Sequence, residues 1–267
     1  MRILFTLFSL LSLSSLYAEE VLYFGDSHST GTALGRRVEQ FLSSPNSSCS
    51  AAQAGSHTVT KLNGVGLDPR HWLSRGNSGR NYLYRQLEQS GSISRASSSQ
   101  SGLDRLVQDI GSSNPGRKLV LEFGDNSTPT GMWQGFKNNI LKMRDQLGVS
   151  AQNCLVLAPQ PHIRESLREG KRQVLTQLRE LHQSGECHVV FFDESSTGPL
   201  PLTDGIHLTN TGYNHWADQA IAGICRSRLF SSDQSASRDS VQGCTSCLPG
   251  MPFENAFPFE QMLQNLR

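Results

Sequence analysis

Charge imbalance is the first thing this sequence lacks. Its 267 residues carry 24 Lys and Arg against 23 Asp and Glu, a formal net charge of +1. The molecule as a whole is therefore not steered toward nucleic acid or an acidic membrane surface. Metal-site spacing is also missing. Cys244 and Cys247 form a lone C-x-x-C with no second pair and no neighbouring His, so a structural role fits better than zinc. His28, His57 and His162 show no ligand spacing either, and neither a metal nor a cofactor is expected. No apolar run reaches the ~20 residues of a membrane span. The longest lies in "MRILFTLFSLLSLSSLYA", and no Cys follows it closely enough for a lipid anchor.

That opening segment has its own layout: Arg2, an apolar and Ser-containing run, then Ala18 before Glu19-Glu20. It reads as a cleavable secretory signal over 1–18, with Leu16 an imperfect residue near the cleavage site. A secreted or periplasmic chain starting near Glu19 is expected, with no stable membrane anchor. Six cysteines in an oxidising compartment point to disulfides, whose pairing the count alone leaves open.

Five apolar runs read as buried strands: 21–25, about 50–54, 118–123, 154–158 and 188–193. The second, "CSAAQAG", is the weakest. Segments with helical periodicity lie between and after them, at 32–43, 103–110, 134–147, 164–183 and 211–228. Strands alternating with helices imply an α/β fold with a five-stranded parallel sheet covered on both faces. Two stretches break the rhythm: a Gly-, Asn-, Ser- and Arg-rich insertion at 56–101 and a Ser/Pro-containing extension at 231–267. The main domain then spans 19–230.

In such sheets ligands bind beyond the carboxyl ends of the strands, so the residues just after each run carry the chemistry. After the first run, "YFGDSHSTG" places Ser27 on a Gly-containing turn that opens a helix. Ser27 or Ser29 can cap that helix, or Ser27 can be a nucleophile. A nucleophile needs a base and a group to orient the base. "PLTDGIHLT" supplies Asp204 and His207, three residues apart, a spacing that one helical turn would put on one face. Gly55 and Asn126 offer donors for an oxyanion. Singly, each residue has an ordinary reading as a turn or surface residue.

Together, "GDSHS" (25–29), Gly55, "GDN" (124–126) and "DGIH" (204–207) resemble, in order, the four blocks of the SGNH or GDSL-type hydrolases. The resemblance covers 21 to about 228 and departs at Ser127, where the family usually has Asp. It implies a three-layer α/β/α, flavodoxin-like fold. It also implies a Ser27–His207–Asp204 triad and an oxyanion hole from the Ser27 N–H, the Gly55 N–H and the Asn126 amide. Asp26 is then a turn or supporting residue. Because the fourth and fifth strands are neighbours in the family's sheet, it implies a Cys154–Cys187 disulfide as well. The expected reaction is ester hydrolysis through an acyl-enzyme.

The substrate is less legible. The insertion interleaves Arg70, Arg75, Arg80 and Arg85 with Trp72, Tyr82 and Tyr84. Arg forks recognise anions and flat rings suit sugars, whereas a broad apolar stretch for lipid is missing there. With His162 near the site, these residues point to removal of O-acetyl groups from a carbohydrate such as wall glycan. A lysophospholipase or short-chain lipase, and an O-acetyltransferase, are the alternatives.

Overall fold

The computed structural model describes residues 19–43, 57–74, 100–111, 114–129, 131–160, 163–193, 198–227 and 229. Strand β1 (Glu19–Gly25) is followed by helix α1 (Ala33–Ser43), strand β2 (His57–Asn63) and the short helix α2 (Pro69–Leu73). Helix α3 (Gly102–Ile110), strand β3 (Lys118–Glu122), a 3-10 turn (Asp125–Ser127) and helix α4 (Phe136–Gln146) come next. Strand β4 (Cys154–Leu157), helix α5 (Arg168–Gln183), strand β5 (His188–Val190) and helix α6 (Asn210–Arg226) complete the order. The sheet runs β2-β1-β3-β4-β5, and all four pairings are parallel.

The strands are apolar on both sides because helices cover both faces. Successive side chains alternate across a strand, so β1 feeds two cores. Leu22 and Phe24 join Leu119, Leu121 and Val156 beneath residues of α2, α3, α4 and α5, among them Trp72, Leu103, Ile140 and Leu178. Val21 and Tyr23 join Val120, Leu155 and Leu157 beneath Leu34 and Val38 of α1 and Trp216 and Ala220 of α6. Among the described residues no helix is long and apolar enough to cross a membrane.

The second strand corrects the sequence reading. The sheet partner of β1 is His57–Asn63, inside the stretch read as an insertion, while 50–54 lies outside the described residues. β2 is an edge strand with only Leu62 fully buried. Its β-branched, alternating "HTVTKLN" therefore carries no apolar run, and a search for runs passes over it.

Register gathers the site. Gly25 of β1 pairs with Asn63 of β2 and Glu122 of β3. Glu122 pairs in turn with Leu157 of β4, and Leu157 with Val190 of β5. All five carboxyl ends thus form one row. The chain leaves β1 toward one edge and β3 toward the other, so the switch point of the sheet lies between these two strands. The turns carrying Ser27 and Asn126 open there.

Candidate active site

The turn after β1 holds Ser27 half-buried. Asp26 Oδ1 accepts from the His28 N–H at 2.8 Å, and Asp26 O accepts from the Thr30 N–H at 3.1 Å. Helix α1 starts only at Ala33, where Thr32 takes the capping role: its Oγ1 accepts from the Gly35 N–H at 3.2 Å. Ser27 is therefore not the helix cap. Its hydroxyl stands 3.1 Å from His207 Nε2.

Asp204 and His207 sit on a loop rather than on the helical turn that their spacing implied. An antiparallel bridge between Leu202 and Leu208 closes the loop, and Gly205 turns it with φ +83, a backbone that L side chains rarely adopt. Asp204 Oδ1 accepts from the Ile206 and His207 N–H groups at 3.0 and 2.7 Å. Its Oδ2 lies 2.6 Å from His207 Nδ1. The hydrogen bond from the His207 ring, reinforced by those backbone donors, holds the Asp204 carboxyl well below the usual carboxylate range. An ionised Asp204 fixes the proton on Nδ1 and leaves Nε2 as the acceptor facing Ser27. The pair is open to solvent, with side chains 53% and 38% exposed.

Asn126 lies on the 3-10 turn after β3. Its Nδ2 donates to Leu67 O at 3.1 Å, which uses one of its two amide protons. Gly55 lies outside the described residues and precedes β2 rather than following it. The turn that does follow β2 is Gly64–Leu67, closed by the Leu67 N–H onto Gly64 O at 3.3 Å. Gly66 takes φ +77 there and is exposed.

The expected substrate rim changes in two places. Trp72 is 1% exposed and packs edge-on against Phe24, with centroids 4.8 Å apart. It is a core residue with no free face for a sugar. Arg70 is forked onto the buried carboxylate of Asp68, which caps α2, so its guanidinium already has its anion. Arg75, Tyr82, Tyr84 and His162 lie outside the described residues. Cys154 and Cys187 are joined in a disulfide with Cα atoms 4.8 Å apart, at the amino-terminal end of β4 and away from Ser27. Among the described residues no group of three or more His, Cys, Asp or Glu could hold a metal.

Sequence reasoning missed a buried polar cluster under Ser27: Asp26, Glu122, Asp125, His28 and Lys171 are all buried. The one local signal was Glu122, a charge inside the apolar run "KLVLEF". The Asp26 N–H reaches Glu122 Oε2 at 3.4 Å. Burial, followed by the Asp125 charge, pushes the Asp26 carboxyl up to about 8. Burial and Asp26 raise Glu122 as well.

A carboxyl protonated in the folded chain but ionised in the unfolded one makes folding less favourable as pH rises. The window runs from the ordinary carboxylate value of about 4 to the folded value of about 8. Asp26→Asn keeps the acceptor for the His28 N–H and removes that titration. Its melting temperature should match wild type near pH 4 and gain on it progressively toward pH 8. Melts across this range that show a constant offset would refute the assignment.

Fold and site define a class: a flavodoxin-like parallel sheet with a Ser–His–Asp array at its carboxyl edge. No protein-family model and no curated protein sequence matches the chain. Solved structures to which it is similar include a lipase/acylhydrolase from Enterococcus faecalis, at 14% identity and TM-score 0.49, covering 78% of this chain and 96% of that one. A member of the lipolytic G-D-S-L family from Veillonella parvula shows 17% identity and TM-score 0.46, covering 76% and 96%. Est24, a carbohydrate acetylesterase from Sinorhizobium meliloti, shows 15% identity and TM-score 0.45, covering 78% and 99%.

Proposed function

We propose that the protein is a secreted serine ester hydrolase of the SGNH type that removes short acyl groups, O-acetyl above all, from a carbohydrate such as wall glycan. The observation that carries the reading is the unbroken chain from Ser27 Oγ through His207 to Asp204, at 3.1 and 2.6 Å. In the first step Ser27 Oγ attacks the ester carbonyl and His207 Nε2 takes its proton. The oxyanion is held by the second amide proton of Asn126, the Ser27 N–H and, in place of Gly55, the Gly66 N–H beside Leu67. His207 then protonates the departing alcohol, leaving an acyl group on Ser27. Water activated by the same imidazole releases the acid and restores the hydroxyl.

Two features support a small acyl group on a polymer. The site is open, as the exposure of Asp204 and His207 shows. The exposed large apolar side chains among the described residues are Val65 and Met132, so no apolar track is on display there for a long chain.

Hydrolysis of p-nitrophenyl acetate, butyrate and octanoate by the protein without residues 1–18 tests the reading. Acetate should be preferred, and acetate should then be released from O-acetylated glycan. Octanoate preference would replace the proposal with a lipase. Transfer of acetyl to an added sugar, with little free acetate, would replace it with an acetyltransferase.

A further inference from the structure

Behind the Ser27–His207 pair runs a ladder of buried polar side chains that the acyl-transfer steps above do not use. Lys171 on α5 is 0% exposed and donates to Asp125 Oδ1 and, at 2.9 Å, to Gln160 O. Asp125 Oδ2 stands 3.2 Å from His28 Nε2. Neither of those two atoms has another hydrogen-bond partner among the described residues, so each is answered by the other. Across the ring, the Tyr213 hydroxyl of α6 lies 3.2 Å from His28 Nδ1. An ionised carboxylate only accepts, so Nε2 carries the proton and Nδ1 accepts from Tyr213.

Three of the four rungs sit next to a piece of the candidate site. His28 follows Ser27, Asp125 precedes Asn126, and Tyr213 lies on the helix that begins just after His207. The His28 ring also lies along the His207 ring, with centroids 5.2 Å apart and planes 31° from parallel. Buried charges and imidazoles are costly to desolvate, and apolar side chains of the same shape would fill this space more cheaply.

We propose that the Lys171–Asp125–His28–Tyr213 ladder is a positioning device, which keeps His28 neutral in one tautomer against the back of His207 and so fixes the aim of His207 at Ser27. The proposal rests on the reading of Ser27 as nucleophile. His207 must accept a proton during the reaction, and a second imidazolium stacked behind it would repel that charge. Several titratable groups face His28. Asp125 comes from the turn after β3, Lys171 from α5, and Asp204 and His207 from the loop before α6, while Asp26 and Glu122 lie beneath. Burial is the largest influence. With Lys171 and His207 it outweighs the pull of Asp125 and Asp204, and lowers His28 to about 4.

Removing Lys171 leaves Asp125 to draw a proton onto His28. The test measures kcat and KM for p-nitrophenyl acetate against pH in wild type, Lys171→Met and Tyr213→Phe. Melting curves and labelling of Ser27 by a fluorophosphonate accompany them. Wild type should lose activity in acid with uptake of one proton. Lys171→Met should lose it at higher pH with uptake of two. Tyr213→Phe, which removes one hydroxyl, should lower kcat about tenfold with KM nearly unchanged, as expected of a misaimed base.

A one-proton acid limb in folded Lys171→Met overturns the proposal, and so does wild-type kcat in Tyr213→Phe. The second result decides alone if Lys171→Met does not fold. Wild-type protein that neither labels at Ser27 nor turns over would instead remove the catalytic reading on which the ladder depends.

Discussion

Ser27→Ala is expected to lower kcat/KM for p-nitrophenyl acetate by about 10⁴–10⁶-fold, the range for losing the nucleophile of such an array. The hydroxyl makes the bond that breaks the ester, and the residue beside it cannot substitute, because the His28 ring points into the protein and is 0% exposed. His207→Ala should cost a similar factor, and the double variant hardly more, since the two side chains act as a unit. Asp204→Asn should cost less, about 10²–10⁴-fold. Its side chain is 53% exposed, and water can partly replace the lost acceptor at His207 Nδ1. Steady-state rates on folded variants check all of these. Ser27→Ala with activity near wild type would end the serine-hydrolase reading at once.

The second large effect is structural. Gly35 of α1 packs directly on the backbone of the nucleophile turn: a Cβ there would lie 1.7 Å from Ser29 O and 2.6 Å from Ser29 C. Neither atom is the end of a flexible side chain. Either α1 moves away from the sheet or the turn carrying Ser27 shifts. Gly35→Ala is therefore expected to cost about 3 kcal/mol or more. For a chain of this size that lowers the melting temperature by roughly 6–12 °C. Its kcat should fall as well, because Ser29 is two residues from Ser27. Gly31→Ala is the control, since a Cβ at Gly31 meets nothing within 4 Å and only its φ of +70 resists the change. That strain costs about 1–2 kcal/mol. Equal melting temperatures for the two variants would show that α1 does not press on the turn.

What was legible in the sequence follows from what is local. Val21–Phe24, Leu119–Leu121 and Leu155–Leu157 form unbroken apolar runs because helices cover both faces of the sheet, and such runs declare themselves without knowledge of their neighbours. Helices α1, α3, α4, α5 and α6 lie within a few residues of their expected spans, since a one-sided apolar stripe is also a local pattern. Asp204 and His207 were legible as a pair for the same reason, although the loop that holds them is not the helix their spacing suggested. Edge strand β2 escaped notice because half-exposed positions do not need to be apolar.

Pairings across the chain were decided only by the tertiary structure. Trp72 reads as a rim residue until Phe24 is found against its ring. Arg70 reads as a free fork until the buried Asp68 is seen capping α2. Asp26 meets Glu122 across 96 residues, and Lys171 meets Asp125 across 46. Nothing near Lys171 in the sequence separates a buried cation from a solvated one. Four of the five strands, helices α1 and α3 to α6, and the chemistry available at the strand ends are written in local sequence patterns. Which polar groups are buried together, and hence which protons they hold, depends on desolvation by residues distant in the chain, and that exists only once the sheet and its helices have closed.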